Sequence, residues 1–146
     1  MDQSEINISA FLKLLRYCEH RRDSDSVYLT MYGGGSFTDT SAHPNKAVTK
    51  WGKTSTAAGA YQILYGTWKE AKDKGIVSDF SPESQDKLAR WKLKTRGALE
   101  LVKAGDVEGA VGKLRNEWTS LPGANESALG MDQAKQRFAL YQKDFQ

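Results

Sequence analysis

The sequence predicts an α+β fold, mostly helices around one core with a small hairpin early in the chain. Three observations lead there. Apolar residues recur at helical spacing in Phe11-Leu12-Lys13-Leu14-Leu15-Arg16-Tyr17-Cys18 and again, most regularly, between Val107 and Trp118. Only one stretch, Val27-Tyr28-Leu29-Thr30-Met31-Tyr32, is convincingly β-branched and aromatic. Gly33-Gly34-Gly35 follows it directly and reads as a turn, with Ser36-Phe37-Thr38 as the returning strand.

Taken in order, Asn7 or Ser9 can cap the first helix, whose stripe is Phe11, Leu14, Leu15 and Cys18 and which should end near His20. Residues 21–26 are a polar loop before the hairpin. Residues 38–60 read as a long ordered loop, since Val48 and Trp51 give it something to bury. Tyr61, Ile63, Leu64, Trp68 and Ala71 space out as a second helix that runs to about Lys74, with Gly75 as its stop. Ser81-Pro82-Glu83 starts a third, running to about Thr95. A short helix after Gly97 stops at Gly105. Asp106 caps the next, carrying Val107, Ala110, Val111, Leu114 and Trp118, and Leu121-Pro122-Gly123 breaks it. A last helix runs from about Met131.

A length of 146 residues suits one domain with a core that needs no staples. The charge of +3 is compatible with an anionic partner, but no Lys/Arg cluster dominates a face, so a nucleic-acid partner is not expected. One cysteine excludes an internal disulfide. The polar start Met1-Asp2-Gln3-Ser4-Glu5 reads as neither a signal peptide nor a membrane span, so no stable membrane association is expected.

Glu19 is the carboxylate that stands out. It lies one turn beyond Leu15 and two beyond Phe11, at the edge of the buried stripe. Partial dehydration and the negative end of the helix dipole both disfavour its charge and raise its pKa. A Glu kept protonated near neutral pH is what a general acid requires, although a solvated Glu at a helix end fits the same spacing.

Other constellations are weaker. His20, His43 and Cys18 are the only soft metal ligands and no two His share a helix face, so neither metal nor cofactor is expected. Cys18 and His20 splay about 200° apart on a helix, and Cys18 continues the apolar stripe. The three glycines match no phosphate-binding spacing. Ala58-Gly59-Ala60-Tyr61-Gln62-Ile63 is more informative. Small residues let a ligand approach the backbone, a helix start offers unpaired N–H groups, Tyr61 supplies a flat face for a sugar, and Gln62 supplies a donor and an acceptor. A tight turn with a core Tyr is the competing reading.

Together these segments resemble the lambda-type endolysins, a family of lytic transglycosylases. The resemblance covers roughly residues 8–123. It is carried by Ala10-Phe11-Leu12 through Glu19, Gly34-Gly35-Ser36-Phe37-Thr38-Asp39 and His43-Pro44 with Lys46. It continues through Ser55-Thr56-Ala57-Ala58-Gly59-Ala60-Tyr61-Gln62 and Asp79-Phe80-Ser81-Pro82-Glu83-Ser84-Gln85-Asp86. Arg96-Gly97-Ala98-Leu99 and Trp118-Thr119-Ser120-Leu121-Pro122-Gly123-Ala124 complete it. The Tyr-Gln and Phe-Ser-Pro-x-Ser-Gln-Asp segments are specific in combination.

The resemblance implies a lysozyme-like fold, mainly helical with a small β-hairpin lobe and a cleft between, built by residues 1–146 as a single catalytic domain. It implies action on the β-1,4 bond between N-acetylmuramic acid and N-acetylglucosamine in peptidoglycan. Glu19 matches the family's catalytic Glu. In a lytic transglycosylase the sugar's own C6 hydroxyl replaces water and leaves a 1,6-anhydromuramyl end, so one carboxyl group suffices where most glycosidases need two. Asp23, Asp25 and Asp39 are the candidates for a second carboxylate and read as loop polar groups. Gln62 and Tyr61 match the family's saccharide-binding pair, with Ser55 and Gly59 nearby. Tyr32 and the glycine turn would line the opposite wall and move as a flap.

Two departures stand out. His20-Arg21-Arg22 follow Glu19 where relatives usually have Gly and a small residue, and Asn125-Glu126-Ser127 replace a sugar-contacting aromatic. The expected protein is a monomer made in the host bacterial cytoplasm, which reaches the periplasmic wall and its peptidoglycan glycan strands after a holin opens the membrane. A hydrolytic muramidase on the same fold, or a non-catalytic wall-binding or structural phage component, are the alternative readings.

Overall fold

The computed structural model describes every residue except Asn125, Glu126 and Ala128, so the replacement read at Asn125-Glu126 lies outside the described residues. The backbone falls into two compact units. One combines Met1–Arg21 with Arg90–Gln146, and the other is Arg22–Ala89.

The first unit is helical. Its centre is α1, Gln3–His20, with Ile8, Ala10, Phe11, Leu14, Leu15 and Cys18 almost fully buried. Against it pack α4 (Leu99–Lys103) and α6 (Met131–Asp144), while α5 (Val107–Leu114) joins α4 to α6. The end of α3 (Pro82–Thr95) also belongs to this unit, where Arg90 forks onto Glu5 with bonds of 3.1 and 3.0 Å.

Helix α1 ends where its sequence suggested but begins earlier. Asp2 caps it, accepting from Glu5 N, and Asn7 and Ser9 lie inside it. Asn7 is a buried clasp. It donates to Lys103 O at 2.8 Å and accepts from Gln3 and Gln142, so one side chain ties α1 to the ends of α4 and α6. At the other end Arg21 takes the left-handed conformation that usually falls to glycine, and its N–H closes on Tyr17 O. Helix α5 is shorter than its apolar repeat, and Trp118 follows it in a turn with its N–H on Leu114 O.

The second unit holds the sheet. The expected strand at Val27–Tyr32 is not one. Asp25–Leu29 forms a short 3-10 helix capped by Ser24, and Thr30 turns its hydroxyl back onto Ser26 O. Local side-chain bonds of this kind compete with a strand ladder. Pairing survives at one rung, Thr30 with Ser36, flanked by Met31 N to Gly35 O and Phe37 N to Leu29 O. The turn was read correctly, but its strands do not extend.

The real hairpin lies inside the stretch expected to be loop. Strands β1 (Val48–Lys50) and β2 (Lys53–Ser55) pair antiparallel, with Thr49 opposite Thr54. Trp51 and Gly52 form the two-residue turn at φ 54° and 74°, the doubly left-handed geometry that matches hairpin twist. Helix α2, Tyr65–Asp73, starts after the Tyr61-Gln62-Ile63 segment, because that segment is already closed by paired bonds between Ala58 and Ile63.

Candidate active site

Glu19 occupies the last turn of α1 and is half-buried. The helix beneath it is fixed by its core face and by the Arg21 cap. Next to it, burial pushes the Cys18 thiol up to about 12; the Arg21 guanidinium opposes this and the Glu19 carboxylate adds to it. Cys18 is therefore a protonated core residue, unsuited to act as a nucleophile.

The second unit carries the other expected residues, on a loop built from the Arg22–Ala89 chain alone. Residues Ala57, Ala58, Gly59 and Ala60 run through the interior. Tyr32 N donates to Ala57 O and Gly59 N to Thr30 O, so this run borders the Thr30–Tyr32 backbone. Ser55 leads into it from β2, its hydroxyl accepting from Ala57 N at 3.0 Å.

Smallness in this run serves packing. Gly59 sits at φ 81°, and a Cβ there would lie 2.3 Å from Gln85 Oε1 and 3.0 Å from Phe80 Cζ. Gln85, wholly buried at the second turn of α3, accepts from Ala60 N and donates to Tyr28 O and Phe80 O. Its amide oxygen and both amide hydrogens go to buried backbone groups.

Tyr61 is not a sugar platform. Its ring is 0% exposed, edge-on to Tyr28, and its hydroxyl and that of Tyr28 both donate to Asp86 Oδ1. It anchors the turn from beneath. The expected unpaired N–H groups are also used, with Gln62 N bonded to Gly59 O and Ile63 N to Ala58 O.

Gln62 is half-buried at φ 48°, raised on the turn that Tyr61 anchors. Its Nε2 donates to Thr30 O at 3.2 Å and Gly59 O at 3.0 Å. Two carbonyl acceptors fix the amide's orientation and use both its hydrogens. What Gln62 retains for a ligand is therefore Oε1, an acceptor, in place of the donor-and-acceptor pair expected.

Tyr32 donates to Lys50 O, and Lys50 Nζ donates to Gly33 O. These bonds pin the glycine turn to the hairpin, which is how a braced turn is built and not a free flap. Asp39 is exposed, with Ser41 donating to it from hydroxyl and N–H; these bonds hold its carboxyl below the usual range. In this position it caps the local turn at Ser41.

Sequence reasoning assigned no role to Gln85, Asp86 or His43. Gln85 and Asp86 lay inside a quoted motif, but only the tertiary contacts show what they hold. His43 accepts Asn45 N at Nδ1, which leaves Nε2–H to donate to Ile63 O at 2.7 Å. Burial lowers its pKa and keeps it neutral, locking this tautomer. No group of three or more His, Cys, Asp or Glu among the described residues could hold a metal, and no described helix is long and apolar enough to cross a membrane. A broad groove of about 1200 Å³ in the helical unit, beside Asn7 and Gly105, contains none of the expected site residues.

Comparison with known proteins agrees with this architecture. The Endolysin family model matches residues 9–146. The endolysin of Escherichia phage lambda is 40% identical over 121 residues, 79% of this chain and 77% of that protein. The endolysin of Escherichia phage P2 is 39% identical over 133 residues, 81% of each. Among solved structures, bacteriophage lambda lysozyme complexed with a chitohexasaccharide superposes with a TM-score of 0.84 at 34% identity, covering 97% of this chain and 95% of that one. A second structure of lysozyme from bacteriophage lambda gives 0.79 at 30% identity, covering 98% and 94%. The chain has the α+β fold of lambda lysozyme and belongs to the Endolysin family.

Proposed function

We propose that this endolysin degrades peptidoglycan as a lytic transglycosylase, cutting the β-1,4 bond between N-acetylmuramic acid and N-acetylglucosamine without water, with Glu19 as its catalytic residue. The observation that carries the reading is a half-buried carboxyl on the last turn of α1, in a chain whose family acts in lysis. The end of a helix and partial burial are the setting in which a proton-donating carboxyl group is expected.

Glu19 first gives its proton to the glycosidic oxygen as the C1–O bond breaks. The ionised carboxylate then takes the proton of the muramyl C6 hydroxyl as that oxygen closes on C1. The carboxyl group ends as it began, and the products are a 1,6-anhydromuramyl end and a free 4-hydroxyl. No water needs activation, so the loop carboxylates have no necessary part. Gln62 Oε1 accepts from an amide N–H or hydroxyl of the glycan. Ser55, Gly59 and Tyr61 shape the turn that presents it, and Tyr32 braces the neighbouring wall. The chitohexasaccharide bound by lambda lysozyme supports a glycan as the ligand. We place residues 1–146 in one catalytic domain that works as a monomer, is made in the host cytoplasm and reaches the wall through a holin lesion.

The test is Glu19→Gln, which keeps the shape and removes the proton. Clearing of purified peptidoglycan should fall by at least about a hundredfold, as general acid–base catalysis contributes 10²–10⁴. Mass spectrometry of the wild-type digest should show muramyl ends lighter by one water than the reducing sugar. Reducing ends alone would make the protein a muramidase, and undiminished clearing by the variant would remove Glu19 from the mechanism.

A further inference from the structure

Trp51 has no role in the packing described above. It is 75% exposed at the tip of the β1–β2 hairpin. Its φ of 54° puts a bulky residue in the first turn position, where Asn, Asp or Gly would sit without strain. A strained backbone holding an exposed aromatic contributes nothing to the core and calls for a reason outside the fold.

The ring is also pre-oriented. Tyr32 meets it at 89° with centroids 5.6 Å apart, and Lys50 Nζ lies 4.9 Å from its centroid. Tyr32 in turn bonds Lys50 O, and Lys50 Nζ bonds Gly33 O, so the side chains around the indole are themselves tied to backbone. A Cβ added at Gly33 would lie 3.2 Å from Lys50 Cδ and 3.3 Å from Val48 Cγ1, so glycine lets that turn approach the hairpin closely.

We propose that Trp51 is a stacking platform for a pyranose ring of the glycan strand, a binding site on the hairpin tip separate from the Gln62 turn. The proposal rests on the peptidoglycan reading above. The chemistry favours a sugar over a lipid surface. One flat ring matches the C–H face of one pyranose, whereas membrane insertion needs a contiguous apolar patch. The residues around Trp51 are polar: Thr49 and Thr54 pair their hydroxyls at 2.7 Å across the strands, and Lys50 and Lys53 flank the turn. Those lysines also suit the carboxylates of peptidoglycan stem peptides.

Because Asn accepts this φ, Trp51→Asn removes the ring and relieves the backbone. Its melting temperature should equal or exceed that of the wild type. Its Kd for chitohexaose and its KM on peptidoglycan should rise about three- to tenfold, the scale of one aromatic contact, with kcat within about twofold. Trp51→Phe should recover most of the affinity. In wild-type protein, chitohexaose should protect the acrylamide-accessible part of the tryptophan fluorescence, since Trp68 and Trp118 are buried and Trp91 is half-buried, and that protection should be lost in Trp51→Asn. Glu19→Gln should show the same protection without turnover, so loss of the catalytic assignment would leave this result standing. Unchanged Kd and KM in Trp51→Asn, or protection by phosphatidylglycerol vesicles and not by the saccharide, would overturn the platform.

Discussion

Gly59→Ala tests whether the small residues before Gln62 exist for packing or for ligand approach. Two costs act at this position. The left-handed backbone at φ 81° costs an L-residue about 1–2 kcal/mol, of which the reduced entropy of the unfolded chain returns about 0.5–1. The new methyl would then stand 2.3 Å from Gln85 Oε1, 2.8 Å from Gln85 Cδ and 3.0 Å from Phe80 Cζ. Overpacking of this kind costs about 1–3 kcal/mol. Gln85 cannot swing away cheaply, because its three bonds to Ala60, Tyr28 and Phe80 satisfy buried backbone groups at about 1 kcal/mol each. The expected loss is about 3–5 kcal/mol, a large part of the stability of a domain this size. Urea unfolding measures it. Gly52→Ala is the control: its φ is 74° but nothing lies within 4 Å, so it should lose only about 1 kcal/mol. Equal losses for both variants would refute the packing account, and a Gly59→Ala protein with full stability but weak saccharide binding would restore ligand approach as the reason for the glycine.

Further outcomes follow from the same contacts. Asn7→Leu should lose about 1–3 kcal/mol in denaturant unfolding, since Lys103 O and the amides of Gln3 and Gln142 lose their partner. Tyr61→Phe should lose about 1–2 kcal/mol as Asp86 gives up one of its two tyrosine donors, with KM on peptidoglycan unchanged; a large rise in KM would mean that Tyr61 meets sugar after all. His43 is held neutral with its pKa below 6.5, so the unfolded chain binds more protons than the native one under mild acid. Its contribution is complete above pH 6.5 and declines as pH falls through that value. His43→Gln should therefore flatten the slope of unfolding free energy between pH 7 and 5, and an unaltered slope would show that His43 does not carry it.

The helical unit could be read largely from residue order, because burial in a helix leaves a period that survives in one dimension. Phe11, Leu14, Leu15 and Cys18 marked α1, and Val107, Ala110, Val111 and Leu114 marked α5. The second unit resisted for a physical reason. Its β pairings are one to three rungs long, too short for a period, and local bonds from Ser24 and Thr30 outweighed the β-propensity of Val27–Tyr32. The hairpin escaped notice because Trp51 fills a turn position where sequence rules expect Asn or Asp.

What the sequence determined by itself was the family, the α+β class and the identity of Glu19 as the carboxyl group worth testing. Tertiary structure alone decided which side chains support and which present. Tyr61 sank beneath the turn onto Asp86, Gly59 yielded its space to Gln85, and Gln62 spent both amide hydrogens on carbonyl groups, leaving an acceptor. Burial and hydrogen-bond partnership depend on residues distant in the chain. A side chain's chemistry is written locally, but which of its atoms remain available is settled only when those distant partners arrive.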